Sequence, residues 1–159
     1  MAGSPPEIRL RSVEPGDLSA FYDHQRDPQA VQLAAFPPRD REAFTAHWAR
    51  VLADDTAITR TVLADGVVAG NVVSFYGGVG RQVGYWIARD HWGRGVATGA
   101  LRLLLLEIDE RPLFATVAAH NLGSIRVLEK CGFVRQGGPA GTGQVAADGV
   151  FEVVLVLVG

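Results

Sequence analysis

The run from Gln82 to Ala118 constrains this chain more than any other stretch. QVGYWIA alternates as a strand does, RDHWGRG is broken by glycines, VATGALRLLLLEID has the apolar content of a packed helix, and PLFATVA is a second short strand. Strand, helix and strand in succession form a crossover unit, so the two strands run parallel in one sheet with the helix on its face. Gly93, Gly95 and Gly99 space the turn before the helix. Free backbone N–H groups and the positive end of a helix dipole favour an anion there, and phosphate is the usual one.

The flanking segments complete a mixed α/β domain. Upstream, Ile8 to Val13 reads as a strand, and EPGDLSAFYDHQRD and PRDREAFTAHWARVLAD read as two helices, with Phe44, His47, Trp48 and Val51 on one face of the second. TRTVLAD, an Asp65-Gly66 hairpin turn, VVAGNVVSFYG and a Gly-rich turn then lead into QVGYWIA, which makes an antiparallel meander of three. The helix of the crossover is expected over Val96 to Asp109 and a shorter one over Leu122 to Cys131. Asn121 is placed to cap the short helix and Gly132 and Phe133 to end it in a Schellman motif against Leu128. A last strand is expected around Gly149 to Val158, a further one at Phe133 to Gln136, and a loop from Gly137 to Gly143. The predicted order is β-α-α-β-β-β-α-β-α-β in a single domain over residues 1–159.

Two phosphate-binding patterns fail on the residues. A P-loop needs Gly-Lys-Ser/Thr after a four-residue spacer, and none is present. A dinucleotide fingerprint needs its first glycine right after the strand and an acidic residue at the end of the next one. Here Arg89 to Trp92 intervene, and the next strand runs out into Ala118-Ala119-His120-Asn121.

VGYWIARDHWGRGVATGAL resembles the strand, pyrophosphate loop and helix of the GNAT N-acetyltransferases, and HNLGSIRVLEKCGF resembles the segment that follows them in the ribosomal-protein alanine N-acetyltransferase branch. The resemblance implies the acyl-CoA N-acyltransferase fold with a splayed central sheet, and acetyl-CoA as cosubstrate without a metal. It places the pyrophosphate at Trp92, Gly93, Arg94, Gly95, Val96, Ala97 and Thr98, with Trp92 where Gln or Arg is frequent and Arg94 adding charge. Pantetheine would lie between the splayed strands against the backbone of Tyr85 to Ala88, and an N–H of Ile87 or Ala88 would polarise the thioester carbonyl. The tyrosine that often protonates the departing thiolate is replaced by Leu128, which leaves Ser124 as the hydroxyl near sulfur and Asn121 as a contact to the pantetheine arm.

A general base is not evident. Gln82 stands where relatives often carry a carboxylate, and His24, His47, His91 and His120, with Asp90 and Glu14 behind them, have no partner that the sequence fixes. Cys131 reads as a packing residue. The acceptor amine is expected against the two early helices and the loops from Val31 to Arg39 and Tyr76 to Arg81, which together contain Phe36, Pro37, Pro38, Trp48, Tyr76 and Arg81. A peptide or protein N-terminus, a polyamine-like metabolite and a xenobiotic amine all remain open, as does a non-catalytic acyl-CoA sensor on the same fold.

Composition narrows the partners. The 15 basic and 17 acidic residues of the 159 are scattered without runs, for a formal charge of −2, which gives neither nucleic acid nor an anionic membrane a surface to bind. One cysteine and an opening MAGSPPE without basic and apolar regions lead us to expect a cytoplasmic protein. A homodimer is the candidate assembly.

Overall fold

The computed structural model describes residues 4–136, 144–145 and 151–159. In chain order the strands are β1 (Ile8–Ser12), β2 (Ile58–Ala64), β3 (Val67–Gly77), β4 (Gly80–Ile87), β5 (Leu113–Ala118), β6 (Val134–Arg135), β7 (Gln144–Val145) and β8 (Phe151–Leu157). The helices are α1 (Asp17–Gln25), α2 (Pro28–Ala34), α3 (Arg41–Ala53), α4 (Val96–Leu106) and α5 (Leu122–Lys130). All strands join one sheet in the order β1-β2-β3-β4-β5-β8-β6, with β7 on β8, and only β4 and β5 are parallel neighbours. The Gly137 to Gly143 loop and the residues just before Phe151 lie outside the described residues.

Apolar residues of β2 to β5 and β8 pack with α4 and α5 into one core, where Val62, Val72, Leu101, Leu104, Leu113 and Leu155 have no exposed surface. The other face of β3 carries a second cluster of Phe21, Tyr22, Phe44 and Trp48 from α1 and α3. Its rings meet at centroid distances of 5.2 Å for Phe21 and Trp48 and 5.4 Å, edge on, for Tyr22 and Phe44. The sheet thus separates two helical layers.

Three helices, not two, precede the meander. Asp27 caps α2 by accepting from the N–H of Gln29 and Ala30, both at 3.0 Å, and Pro28 takes the first helical position, where its missing N–H costs nothing. The predicted hairpin turn is present, with Asp65 and Gly66 both at positive φ. So is the Schellman ending of α5: Phe133 N–H donates to Leu128 C=O and Gly132 N–H to Glu129 C=O, each at 3.0 Å, with Gly132 at φ 98°.

Asp17 fastens the α1 layer to the sheet. Its buried carboxylate takes both guanidinium nitrogens of Arg11 at 2.7 and 2.9 Å, the hydroxyl of Thr61 at 2.6 Å and the N–H of Glu14 at 2.8 Å. The bidentate bond from Arg11 is the largest of the effects that hold its carboxyl down from 3.8 to about 2. Asp17→Ala should therefore cost about 2 kcal/mol or more at neutral pH, measured by denaturant unfolding. Because the folded pKa is depressed, this contribution is complete above pH 3.8 and fades as pH falls toward 2. The gap between wild type and variant should narrow across that window; a gap that stays constant there contradicts the assignment.

Candidate active site

The site begins where two parallel strands part. β4 and β5 pair at a single position, Gln82 with Phe114, and beyond it toward Ile87 and Ala118 no further rungs form. Ala88 N–H donates to Ala69 C=O at 2.8 Å, so it belongs to the β3 ladder and is not free to polarise a carbonyl, contrary to one of the two positions expected for that task. In an antiparallel ladder successive residues turn their N–H groups to opposite sides. Tyr85 and Ile87 therefore aim their amides into the gap. Trp92 closes part of it by donating from Nε1 to Ile87 C=O at 2.8 Å, so its indole ties the glycine turn to β4.

A cavity of about 470 Å³ follows from this parting. Tyr85, Ile87, Trp92, Gly93, Gly95, Val96, Ala97, Thr98, Asn121 and Ser124, ten of the residues singled out in the sequence, line it, and Ala88 and Arg94 do not. Gly93 and Gly95 sit at φ 73° and 78°, a region that L side chains resist, and Gly95 starts α4 with no side-chain cap. The N–H groups of Val96, Ala97 and Thr98 at the start of α4 have no carbonyl behind them within the helix, and their residues border the cavity. Such a turn is a cradle for phosphate.

The cations differ from expectation. Arg94 is outside the lining, with its guanidinium 3.8 Å from Asp65, whereas Arg126 and Lys130 of α5 border the cavity. Neither stands in the glycine motif, and only the helical spacing of four residues on α5 could have paired them.

Ser124 and Tyr85 form the closest polar pair at the gap. Asn121 caps α5 by accepting from Ser124 N–H at 3.3 Å, which turns the Ser124 side chain toward β4. The Tyr85 hydroxyl lies 2.6 Å from Ser124 Oγ and 3.1 Å from Ser124 C=O. Burial, opposed by the bond to Ser124, pushes the phenol up to about 12, so it stays protonated at neutral pH. When the phenol donates to Ser124 Oγ, the serine proton is free to point into the cavity. Leu128 is fully packed in the core and leaves this place to Tyr85. Sequence reading had assigned Tyr85 through its backbone alone, and its side chain adds a second hydroxyl.

A second cavity of about 410 Å³ lies on the α1–α3 side of the sheet and shares Ala34, Tyr85, Trp86, Asn121 and Ser124 with the first. Phe36 and Trp48 line it as expected, but Pro37, Pro38, Tyr76 and Arg81 do not. Arg81 is buried, donating to Ser74 Oγ at 2.9 Å and Thr56 C=O at 2.7 Å, while Tyr76 bonds Glu110. The charged side chains lining this cavity are Arg39, the last residue of the first expected loop, and Glu152, which was not read from the sequence as a site residue.

The histidines scatter. His47 borders the second cavity, pushed below its ordinary pKa by burial and then by Arg39 and Arg50. His91 borders the first, His24 packs against Phe21, and His120 Nε2 meets Gln32 C=O at 2.9 Å. Gln82, Asp90 and Glu14 border neither cavity. Cys131 donates weakly to Thr98 C=O at 3.8 Å, and burial raises its pKa, which suits a packing thiol. No group of three potential metal ligands occurs among the described residues.

Residues 7–134 match the family model described as an acetyltransferase (GNAT) domain. The chain belongs to the GNAT acetyltransferases. In Bacillus subtilis (strain 168), the "Putative ribosomal N-acetyltransferase YdaF" is 32% identical over 146 residues, 82% of this chain and 79% of that protein. The "Probable N-acetyltransferase YjcK" of the same organism is 31% identical over 128 residues, 78% of this chain but 66% of that protein. Two solved GNAT structures show the same fold. Spermidine N-acetyltransferase from Vibrio cholerae, in complex with CoA and spermine, superposes with a TM-score of 0.78 at 17% identity over 95% of each chain. Aminoglycoside acetyltransferase AAC(6')-Ib, in complex with coenzyme A and kanamycin, gives 0.76 at 21% identity over 96% of this chain and 95% of the other.

Gly95 supports a direct test of the GNAT turn. Among the described residues no atom lies within 4 Å of a Cβ built there, so Gly95→Ala meets the strain of its left-handed φ. It should lower stability by about 1 to 2 kcal/mol in thermal denaturation, with the fold retained. An unchanged or raised midpoint contradicts the geometry at the start of α4.

Proposed function

We propose that this GNAT protein transfers the acetyl group of acetyl-CoA to a primary amine, which enters from the second cavity. The observation that carries the proposal is the Tyr85–Ser124 pair, whose residues border both cavities and whose oxygens are 2.6 Å apart. A donor bound on one side and an acceptor on the other meet at two protonated hydroxyls, a placement that a passive sensor does not need.

Acetyl-CoA bound in the first cavity supplies an acetyl thioester as acyl donor. The chain's own parts then divide the work. Gly93 to Thr98, with Arg126 and Lys130 nearby, hold phosphate. The amides of Tyr85 and Ile87 add hydrogen bonds of the kind an extra strand would make, and Ile87 N–H is the remaining backbone donor toward the carbonyl oxygen. As the amine nitrogen bonds to the acetyl carbon and the C–S bond breaks, Ser124 delivers its proton to the departing sulfur and is re-supplied by Tyr85, and the proton shed by the nitrogen passes to solvent, from which Tyr85 is reprotonated. The acceptor class stays among peptide or protein N-termini and small amines; the names of its relatives include a ribosomal N-acetyltransferase, and those of its structural neighbours spermine and kanamycin.

Acetyl-CoA should raise the melting temperature and NAD should not. Ser124→Ala should lower kcat and kcat/KM alike, by about 10- to 1,000-fold, with little change in coenzyme affinity. Tyr85→Phe keeps the ring and loses the hydroxyl, so it should act in the same direction. Because the two hydroxyls act in series, the double variant should be no slower than the slower single one. Rates that multiply in the double variant, or full kcat in Ser124→Ala, contradict the relay; acetyl-CoA binding without thiol release to any of a broad panel of amines would favour the sensor.

A further inference from the structure

The second cavity carries an opposed pair of charges. Glu152 lies on β8 opposite Ala118, and Ala118 C=O accepts from Asn121 N–H at 2.9 Å, so the carboxylate belongs to the end of the cavity nearest Asn121 and Ser124. Arg39 lines the same cavity from a different element, the segment between α2 and α3. Gln25 clamps that segment by donating to Arg39 C=O at 2.9 Å and accepting from Arg39 N–H at 2.8 Å, while the guanidinium stacks 4.8 Å over Phe36. The backbone of Arg39 is thus fixed without use of its charge.

Among the described residues that charge has no counterion: no carboxylate lies within ion-pair distance of Arg39, and burial, then the like charge of Arg50, lowers its pKa. His47, next along the same wall, is likewise held toward its neutral form. A half-buried guanidinium facing an aromatic cavity without a partner is a receptor for an anion. Between the two charges the walls are Phe21, Phe44, Trp48, Phe75 and Trp86, which suit an apolar body and offer no second carboxylate to a polycation.

We infer that the acceptor is a primary amine carrying an anionic group at the far end of an apolar body, with Glu152 receiving the ammonium end and Arg39 the anion. This rests on the acetyl-transfer reading and narrows it. A polycationic amine would bring its distal charge against Arg39 and be disfavoured by like-charge repulsion.

Three matched amines test it: 4-(2-aminoethyl)benzoate, phenethylamine and 4-(aminomethyl)phenethylamine, whose far ends are anionic, neutral and cationic. With saturating acetyl-CoA, kcat/KM should be highest for the benzoate by about tenfold over phenethylamine, and lowest for the diamine. Arg39→Gln should bring the three values together, mainly by raising KM for the benzoate, Arg39→Lys should restore part of the order, and Arg39→Glu should move the preference toward the diamine. Equal turnover of all three by the wild type, or preference for the diamine, overturns the inference and leaves acetyl transfer standing. Thiol release with none of them, nor with any other amine, overturns acetyl transfer and this inference with it.

Discussion

The site depends on one missing ladder. Parallel strands β4 and β5 meet at Gln82 and Phe114 and then separate, although both continue for several residues. Unpaired amides in a protein interior are costly, so a gap of this kind persists only where something else satisfies them. One edge group is satisfied within the chain, by the Trp92 indole on Ile87 C=O. The amides of Tyr85 and Ile87 are left for a ligand with carbonyls of its own, which pantetheine has.

The parting also lets the two faces of the sheet communicate. α4 and α5 build the side proposed for the coenzyme, which α2 also borders through Ala30, Leu33 and Ala34, and α1 and α3 build the side proposed for the acceptor. Tyr85, on β4, meets Ser124, on α5, beside the gap, and both residues line both cavities. The Asp17 anchor matters for the same reason: it fixes α1 to β1 and β2, and through α1 the wall that Phe21 and Gln25 present to the acceptor.

What could be read from the sequence was what local chemistry dictates. The Asn121 cap, the Gly132 ending, the Asp65-Gly66 turn and the glycine turn at 93–95 each follow from a few adjacent residues and their φ preferences. α2 was missed although Asp27-Pro28 is a helix start, because its seven residues have too little apolar period to outweigh the prolines at 37 and 38. Arg81 was misplaced because a charged residue in a strand reads as exposed, whereas it is covered by Ser74 on the paired strand and by Thr56 and Glu110 from farther along the chain. The Tyr85 hydroxyl and Glu152 escaped for a related reason: the hydroxyl's partner lies 39 residues away, and Glu152 reaches the cavity on β8, far along the chain from the other residues that line it.

The claim that the gap between β4 and β5 is completed by coenzyme A can be tested at single amides. Hydrogen exchange resolved by residue, with and without saturating coenzyme A, should show Tyr85 and Ile87 exchanging readily in the free protein and strongly protected in the complex, while Ala88, already bonded to Ala69, changes little. Protection confined to the glycine turn at 93–98, with Tyr85 and Ile87 exchanging as freely as before, would contradict the account.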